Sequence, residues 1–513
     1  MNHAPHYSVT LHLGASAFSL LVLEHHSDED LQLEYLEQPV PIARDIFRQG
    51  KVKRSTIEQC VDILQSFQDA IGDFGLTKDD IKVSVATNII KEASNYTIFL
   101  NRLEIASGVK FTALDNGAMT QLILKKVRDH HQEVEFSEEG KTLAIHVGPG
   151  NTRALLLNDG MVERFTTYRL GSHRTAEALH NSQLSGEEYL RVIRAHCEPH
   201  INAIKYDYRR ENIKYMILIG TEIQTSVALI NPDRSYSSDR TAFADFLAES
   251  SLMNEEERLS EYHLDYHSED GFLPALQINA TLLNLFDIQQ HWIPTSEYDR
   301  GLLMDLSYTH KNNLSLDEEI LHAARLLAKK YAADPNHYEH VLSQVETLFH
   351  QTQEIHNLST KQFNLLKVAT IVHEIGGYIS PRIHHKHSYH LIKHSEIFGL
   401  DERNRQIIAL VARYHRQSPP KNTHKEYIAL SREDQLTVSK LSALLRVADS
   451  LDACQQQNIF LKNVVHDKNG LILEVTGSPN INLESLALSN KGNLFEQLFG
   501  LTLQLQHISN LSL

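Results

Sequence analysis

The chain has 513 residues, 42% of them hydrophobic and 22% charged, and its formal net charge of −16 argues against broad nucleic-acid binding. Its length predicts several domains, no apolar run approaches the ~20 residues that cross a bilayer, and the N-terminus MNHAPHYS lacks a signal-peptide pattern. Three widely spaced cysteines form neither a disulfide framework nor a zinc motif. Together these features predict a cytoplasmic protein without a membrane partner.

Two similar hairpins are predicted in the first 160 residues. Residues 7–24 have the order strand, Gly-Ala-Ser-Ala turn, strand, and residues 141–160 repeat this order around a Gly-Pro-Gly turn. Such turns expose backbone N–H groups and small polar side chains, which suit phosphate binding. Because strands alternate with helical segments after both hairpins, we predict a duplicated α/β architecture with a cleft between two lobes.

The remainder of the chain changes pattern. Segments between residues 318 and 377 space their apolar residues three and four apart, which predicts helices. Residues 459–477 return to strand, turn and strand. We therefore predict two α/β lobes, an all-α domain and a small C-terminal α/β domain. Their predicted ranges are 1–133, 134–308, 315–455 and 456–513.

Four short motifs resemble those of one enzyme family. HLGASA at 12–17 and HVGPGNTR at 146–153 stand where the family has Asp-Leu-Gly-Ser-Asn-Ser and Asp-Ile-Gly-Gly-Gly-Ser-Thr-Glu. ATNIIKEASN at 86–95 keeps Ala-Thr-x-x-x-Arg-x-Ala-x-Asn except for Lys91, and GTEIQT at 220–225 keeps part of a Gly-Thr-Gly-Gly-Thr loop. The sequence thus resembles the Ppx/GppA family of exopolyphosphatases and guanosine pentaphosphate phosphohydrolases over nearly its whole length. This resemblance implies two actin-like (ribonuclease-H-like) lobes.

The family's catalytic glutamate lies in a Ser-Gly-x-Glu-Glu-Ala stretch before an apolar helix. The corresponding segment here, LDNGAMTQLILKKV at 114–127, has Gly117, Ala118 and Met119 at those positions. None of these side chains can act as a general base toward water. Asp115, the nearest carboxylate, is two residues out of register and is predicted to be a turn residue. The catalytic residues therefore stay unassigned.

The metal-facing aspartates of the family become His12 and His146, and a glutamate becomes Arg153. Mg²⁺ prefers oxygen ligands, so we do not expect it in the interlobe cleft. Guanidinium, ammonium and imidazolium groups would instead contact an anion directly, and binding would strengthen as the pH falls. A relic cleft that has lost its ligand is the alternative. The predicted phosphate-binding residues are Gly14, Ser16, Lys91, His146, Gly148, Gly150, Asn151, Thr152, Arg153, Gly220 and Thr221.

The helical region carries a second candidate site. HYEHV at 337–341, IVHEIGG at 371–377 and LLRVADSLDA at 444–453 resemble the HD-type domain of longer family members. Such domains collect a divalent metal with histidines and carboxylates from separate helices. A scaffold without metal is the alternative. The ligands that the resemblance implies are His337, His373, Glu374 in place of aspartate, and Asp449.

Two basic segments follow in the same region, at residues 384–400 and 409–420. Together they are predicted to line a basic channel for a polyphosphate-like anion. The alternative is a set of partly buried histidines that bind helix carbonyls. The channel residues are His384, His385, Lys386, His387, Arg413, His415 and Arg416.

Three functions stay open from the sequence. The main interpretation is a regulatory protein that binds polyphosphate or guanosine pentaphosphate-type anions in the cleft, with hydrolysis weak or lost. One alternative is an active exopolyphosphatase or guanosine pentaphosphate phosphohydrolase that releases terminal phosphate. The other is a metal-dependent phosphohydrolase at the HD-like site. The resemblance is to hydrolases of phosphoric anhydrides, and since family members tend to dimerise, a homodimer is an open prediction.

Overall fold

The computed structural model describes residues 6–26, 30–131, 140–180, 184–231, 240–264, 266–288, 290–294, 303–307, 314–416, 418–467 and 470–509. They belong to two compact units, Met1–Asn313 and Leu314–Leu513. The boundaries predicted at 133/134 and at 308 lie outside the described residues, and the four-domain division stays a prediction. Within the described ranges, no helix is both long and apolar enough to cross a lipid bilayer.

The first unit contains two sheets of the same topology. Its strands are β1 (His6–Leu13), β2 (Ala17–His25), β3 (Leu31–Pro39), β4 (Ile81–Ala86), β5 (Thr112–Ala113), β6 (Lys141–Val147), β7 (Thr152–Asn158), β8 (Met161–Tyr168), β9 (Ile213–Ile219) and β10 (Gln290–Trp292). The strand orders are β3-β2-β1-β4-β5 and β10-β9-β6-β7-β8. In each sheet the first strand pairs antiparallel with its hairpin partner and parallel with the strand that follows a helical segment. The predicted duplication of an α/β lobe is confirmed.

Helices cover these sheets. Because successive side chains of a strand point to opposite faces of the sheet, every second residue faces the same side. The helices are α1 (Ile42–Gln49), α2 (Arg54–Gly72), α3 (Tyr96–Ser107), α4 (Asn116–His131), α5 (Ser172–Leu179), α6 (Gly186–Tyr208), α7 (Thr221–Ile230), α8 (Arg240–Leu252), α9 (Glu255–Glu261), α10 (Tyr266–Leu283) and α11 over 303–307. Leu11 and Leu13 of β1 enter one apolar core, and Ile145 of β6 enters the other. The alternating positions, His12 and His146, therefore face the opposite side of each sheet.

The second unit is mostly helical and ends in a small sheet. Its helices are α12 (Leu314–Lys330), α13 (Pro335–Gln351), α14 (Gln353–His356), α15 (Thr360–Val372), α16 (His384–His394), α17 (Glu402–Tyr414), α18 (Lys425–Ile428), α19 (Arg432–Ser450), α20 (Asn482–Lys491) and α21 (Asn493–Phe499). Strands β11 (Ile459–Asp467), β12 (Gly470–Gly477) and β13 (Thr502–His507) form the sheet. Leu473 and Phe495 share one core with Leu366 and Leu445 of the helices. The predicted all-α region and C-terminal α/β region are confirmed.

Candidate functional site

A cavity of about 250 Å³ in the first unit is lined by both hairpin turns. Each turn closes on itself: the Gly14 N–H donates to the Ala17 carbonyl at 2.8 Å, and the Gly148 N–H donates to the Asn151 carbonyl at 3.1 Å. A Cβ atom on Gly150 would lie 2.8 Å from Ile89, so glycine permits this close approach. The predicted phosphate-binding residues on the cavity wall are Gly14, Ser16, His146, Gly148, Gly150, Asn151, Arg153 and Thr221.

Three other predicted phosphate-binding residues are not on this wall. Lys91 is exposed on a 3₁₀ turn, and Thr152 is fully buried with its hydroxyl donating to the Leu170 carbonyl at 2.8 Å. Gly220 has φ +148°, and a Cβ atom there would lie 2.7 Å from the carbonyl oxygen of Val147. The segment that the resemblance gives as a loop at 220–225 is instead the start of helix α7, whose first residue, Thr221, reaches the cavity.

The two histidines in place of acidic residues are buried and uncharged at neutral pH. His12 pairs with Ser19 across the β1–β2 hairpin, and His146 pairs with Arg153 across β6–β7. Burial lowers the pKa of His12 to about 4. Burial, together with the positive charge of Arg153, lowers the pKa of His146 to about 3. Burial therefore disfavours the imidazolium form of both rings in this cavity, which argues against the expectation that imidazolium supplies charge in the cleft.

Arg153 is the cation that the second hairpin brings to the cavity. Its side chain lines the cavity and only 3% of the residue is exposed, so it does not point outward to solvent. The Arg153 Nη2 donates to the Asn116 Oδ1 at 3.2 Å, and the same oxygen accepts from the Asn88 Nδ2 at 2.9 Å. A guanidinium held in such a poorly hydrated position interacts more strongly with an anion than one in water.

Two carboxylates that the sequence analysis missed line the same cavity, on Glu37 and Glu222. Glu37 lies opposite Ser19 in the β2–β3 ladder and accepts from its hydroxyl at 3.2 Å and from the Tyr35 hydroxyl at 2.5 Å. Glu222, in the first turn of α7, accepts from the Ser172 hydroxyl at 2.9 Å. Both carboxylates are therefore bound to hydroxyl groups. Glu222 lies within the 220–225 segment that aligns with a family motif, and Glu37 lies outside these motifs.

The segment that aligns with the family's catalytic glutamate forms the start of α4. Met119 lines the cavity, whereas Gly117 and Ala118 do not. The Asp115 Oδ1 accepts from the Ala118 N–H at 2.8 Å, so this carboxylate caps the helix. This hydrogen bond to a residue three positions away is the local contact expected of Asp115 as a turn residue.

The predicted metal ligands of the second unit come together from α13, the end of α15, and α19. The His337 Nε2 lies 3.5 Å from the Asp449 Oδ1 and 3.8 Å from the Glu374 Oε2. The His373 Nε2 lies 3.8 Å from the same Asp449 oxygen. Ligand atoms on a tetrahedral metal ion are separated by roughly 3.3 Å when each lies ~2.0 Å from the metal. The spacing and the donor types therefore fit a metal ion.

The other ring nitrogen of each histidine fixes the orientation of the ring. The His337 Nδ1 lies 2.7 Å from the Asp452 Oδ2, and the His373 Nδ1 donates to the Thr370 carbonyl at 2.6 Å. When neutral, both rings then direct the Nε2 lone pair toward the cluster. Both Nε2 atoms are buried, and no hydrogen bond to another described residue satisfies them. Buried unsatisfied nitrogens of this kind are expected where a metal ion binds.

The carboxylates of this cluster create a field that favours a cation. Burial opposes a charge on His337, but Asp449 and Asp452 outweigh it and raise the pKa of His337 to about 10. Burial likewise opposes ionisation of Asp449, yet Lys491, which contacts the Asp449 Oδ2, and the two imidazoles hold the pKa of this carboxyl well below its usual value. The site is therefore built to hold positive charge, as a proton or as a metal ion.

Two histidines predicted to line a basic channel, His384 and His415, face this cluster instead. Their Nε2 atoms lie 3.0 Å apart, and the His384 Nε2 lies 3.8 Å from the Glu374 Oε1. Gly376 allows the approach, because a Cβ atom there would lie 2.1 Å from the His384 carbonyl oxygen. The Ser388 hydroxyl stabilises this close approach by accepting a hydrogen bond from the Gly376 N–H at 2.9 Å. The sequence analysis placed both histidines in one channel and missed their position beside the predicted metal ligands.

The other predicted channel residues have separate surroundings. Arg413 stacks over the ring of Tyr389, and Arg416 donates to the Arg382 carbonyl at 2.8 Å. Burial, with added repulsion from nearby positive charges, lowers the pKa of His385 to about 4. Lys386 is exposed and His387 is half-buried. Their joint role in anion binding stays a prediction.

Comparison with known families agrees with both units. The Ppx/GppA phosphatase family matches residues 33–309, more than half of the chain. Domain III of the Ppx/GppA phosphatases matches residues 321–491. The chain belongs to the Ppx/GppA phosphatase family. The predicted family is thereby confirmed, and the second match covers the helices that carry the histidine cluster.

Relatives of this Ppx/GppA protein align along most of its length. It is 19% identical over 452 residues to the guanosine-5'-triphosphate,3'-diphosphate pyrophosphatase of Aliivibrio fischeri, with 86% of this chain and 87% of that protein aligned. It is 20% identical over 478 residues to the protein of the same name from Pseudoalteromonas translucida, with 90% of each aligned. An exopolyphosphatase structure from Cytophaga hutchinsonii superposes with a TM-score of 0.50 at 15% identity, covering 59% of this chain and 98% of that one. This likeness confirms the actin-like fold of the lobes.

Proposed function

We propose that this Ppx/GppA protein binds the phosphates of polyphosphate or of a guanosine pentaphosphate-type anion in the cavity of its first unit, and hydrolyses them weakly or not at all. The observation that carries the proposal is Arg153, a buried guanidinium on the wall of a cavity formed by two glycine turns. The names of the two aligned relatives, both guanosine polyphosphate pyrophosphatases, support the ligand class.

The cavity wall offers donors that suit a phosphate chain. The guanidinium of Arg153 can donate two parallel hydrogen bonds to phosphate oxygens. The hydroxyls of Ser16 and Thr221 and the amide of Asn151 lie on the same wall. His146, whose pKa is lowered to about 3, lies on the same wall. Binding therefore relies on a fixed cation and neutral donors.

The same wall does not fit Mg²⁺, which requires oxygen ligands in near-octahedral geometry. The positions that carry aspartates in the family present imidazole rings, and Arg153 adds positive charge beside them. The cavity carboxylates, Glu37 and Glu222, accept hydrogen bonds from hydroxyl groups. Without a bound Mg²⁺ and with Met119 in the segment of the missing glutamate, hydrolysis lacks both a metal and its usual base.

Calorimetry with tripolyphosphate in the presence of EDTA tests this proposal. We expect binding that weakens at least ~10- to 100-fold in Arg153→Glu, because a charge-assisted hydrogen bond contributes about 1.5–3 kcal/mol. Arg210→Glu, the same charge change on an exposed residue, is the matched control and should leave affinity unchanged. Equal affinity of the wild type and Arg153→Glu, or binding that requires Mg²⁺, would contradict the proposal.

An active hydrolase in this cavity is the alternative that Glu37 and Glu222 favour, since either carboxylate could act as a base in a new position. Phosphate release from polyphosphate, measured with Mg²⁺ and Mn²⁺, distinguishes an active hydrolase from a binding protein. Robust release that is lost in Glu37→Gln or Glu222→Gln would establish the alternative. Release at background level in the wild type would support a binding role.

A second candidate function is a metal-dependent phosphohydrolase in the second unit. We propose that His337, His373, Glu374 and Asp449 hold a divalent transition metal, supported by the unsatisfied Nε2 atoms and the carboxylates that surround them. Such a metal supplies Lewis-acid chemistry and a more acidic bound water. The chain's own part is to orient the ligands, through Asp452 on His337 and the Thr370 carbonyl on His373.

Metal analysis together with a phosphodiester assay tests this candidate. Protein purified without chelator should contain Mn²⁺, Fe²⁺ or Zn²⁺, and His373→Ala should lose most of it. Hydrolysis of bis(p-nitrophenyl) phosphate should then fall in parallel with metal content. Activity that persists in metal-free protein would rule out this function.

A further inference from the structure

The Gly-Pro-Gly turn on the cavity wall is held by the start of helix α5. The Gly148 carbonyl accepts from the Ser172 N–H at 3.1 Å, and the Pro149 carbonyl accepts from the Arg174 N–H at 3.0 Å. The Gly150 carbonyl accepts from the Arg174 Nε at 2.7 Å. All three carbonyls of the turn are therefore bound by the first residues of α5, and this fixes the backbone of the turn on the cavity wall.

The side chain of Arg174 also contacts the other lobe. Its Nη2 donates to the Glu92 Oε1 at 2.6 Å, and its guanidinium lies over the ring of Phe47, 4.4 Å from the ring centroid. The Arg169 Nη2 contacts the second oxygen of Glu92 at 3.1 Å. Glu92 and Phe47 belong to the lobe built on β1–β5, here the first lobe, and α5 belongs to the lobe built on β6–β10, the second lobe. Arg174 therefore joins the turn to the first lobe.

A second set of ion pairs crosses between the lobes with the opposite polarity. Arg44 and Arg48 of α1 both contact Glu177 of α5. The Arg44 Nε also donates to the Asp270 Oδ2 of α10 at 3.0 Å. Glu177 is buried, and a buried carboxylate without its cationic partners is strongly destabilising. Helix α5 is therefore bound to the first lobe through both Arg174 and Glu177.

The wall of the cavity depends on this close approach of the lobes. A Cβ atom on Gly150 would lie 2.8 Å from Ile89 and 2.9 Å from Phe47, both of the first lobe. Arg153 of β7 donates to Asn116 of α4, which follows β5 in the first lobe. The turn and the guanidinium proposed to bind phosphate thus both contact the opposite lobe. A separation of the lobes would remove these contacts.

We propose that Arg174 is a positioning residue for phosphate binding, because its ion pair with Glu92 holds the lobes together while its Nε holds the Gly-Pro-Gly turn. This inference rests on the phosphate binding proposed above for the cavity. Arg174 is not on the cavity wall, so it acts through the turn and not by contact with the anion. Only the closed arrangement then binds with full affinity, and the apparent Kd rises as the closed fraction falls.

Distances between the lobes test the ion pair without any ligand. Nitroxide labels are attached to the full chain at Ser66→Cys on α2 and Ala195→Cys on α6, since both positions are exposed. The background is Cys454→Ser, because Cys60 and Cys197 are buried and Cys454 is not. Double electron–electron resonance should then give a single distance population in the labelled protein.

Two variants should separate the lobes. Glu92→Gln, which removes a charge and little volume, and Arg174→Gln should each add a population at longer distance. Glu58→Gln, which breaks the ion pair with Arg54 within α2, is the matched control and should leave the distances unchanged. Because Glu92 is exposed, its variant is expected to fold and keeps the test decisive when Arg174→Gln is unstable.

Calorimetry with tripolyphosphate measures the consequence for binding. If the closed fraction falls to between roughly one third and one tenth, Glu92→Gln should weaken binding ~3- to 10-fold. The double variant Glu92→Gln/Arg174→Gln should bind little more weakly than Arg174→Gln alone, since the two residues act through one contact. Additive losses would mean that Arg174 and Glu92 act independently, which contradicts the proposal.

The outcomes separate this inference from the proposed function. Identical distances in the labelled protein, Glu92→Gln and Arg174→Gln would overturn the inference, whatever the affinity for tripolyphosphate. Weaker binding in Arg174→Gln with unchanged affinity in Glu92→Gln would reduce Arg174 to a support of the turn and also overturn it. Longer distances in both variants of a protein that binds no tripolyphosphate would establish the interlobe ion pair and refute the phosphate binding proposed for the cavity.

Discussion

Buried histidines occupy the candidate site of each unit, yet their surroundings give them opposite roles. In the first unit, His12 and His146 lie in a cavity where burial, and for His146 also Arg153, keeps the rings neutral. In the second unit, His337 faces Asp449 and is oriented by Asp452. These two carboxylates raise the pKa of His337 and so favour its positively charged form. The charge of the neighbouring groups, more than the presence of histidine, decides whether a site takes an anion or a cation.

The difference also predicts a different source of positive charge for each site. In the cavity it comes from a covalently fixed guanidinium, which needs no metal and does not titrate near neutral pH. In the histidine cluster the carboxylates leave room for an exchangeable cation. The first site is therefore expected to be indifferent to chelators and the second to depend on them.

Catalysis should show the contrast most strongly. Phosphate release from polyphosphate should be ~10²- to 10⁴-fold below that of an intact exopolyphosphatase, because Gly117, Ala118 and Met119 cannot act as a general base. The measurement is a side-by-side phosphate assay with Mg²⁺ or Mn²⁺. His373→Ala serves as the control that assigns any residual release to the second unit. A rate within tenfold of the reference enzyme in this variant would contradict the account of the cavity.

Metal removal should affect one unit only. At free metal 100- to 1,000-fold above its Kd, binding stabilises the folded state by about 3–4 kcal/mol. Hydrogen exchange in α13, α15 and α19 should therefore slow on addition of Mn²⁺. The single tryptophan, Trp292 in β10, reports on the first unit, and its unfolding transition in urea should not move. A shift of the Trp292 transition without slower hydrogen exchange in these helices would contradict the assignment of metal binding to the second unit.

The pH dependence of stability should be a property of the first unit. The unfolded chain takes up protons on His12 and His146 below about pH 6.5, whereas the folded state does not do so until pH falls to about 4 and about 3. Stability is thus fully present above pH 6.5 and falls below it, by up to about 1.4 kcal/mol per pH unit for each histidine. The free energy of unfolding, measured in urea by the fluorescence of Trp292, should depend less steeply on pH between 6 and 4.5 in the double variant His12→Gln/His146→Gln than in the wild type.

The control for this pH experiment is His26→Gln, since His26 is exposed. Its slope should match that of the wild type. An unchanged slope in the double variant would mean that the two buried rings titrate normally. In that case the neutral state assigned to them in the cavity is incorrect.

Much of the fold follows from the sequence because local patterns encode it. The two glycine turns and their apolar strands, around Gly14 and Gly148, predict the hairpins correctly. The sequence analysis did not assign strand β3, whose residues are mostly half-buried or exposed, and so it missed Glu37. The loop expected at Gly220 is a helix start, since the resemblance to a family motif does not determine local backbone structure.

The candidate sites were less predictable because burial and convergence are properties of the folded chain. The charge state of His146 depends on desolvation and on Arg153 across the hairpin, which spacing does not show. His384 is the first residue of α16 and His415 follows the last residue of α17, so their contact depends on how these two helices pack and on the close approach at Gly376. Residue type indicated the candidates, while packing decided their partners.

The central claim is that positive charge is a protein side chain in the cavity and a metal ion in the histidine cluster. The most direct test is the Mn²⁺ content of two matched variants, His146→Asn and His373→Asn, loaded under identical conditions. The account predicts wild-type metal content in His146→Asn and loss of most of the metal in His373→Asn. Metal lost in His146→Asn and retained in His373→Asn would contradict it.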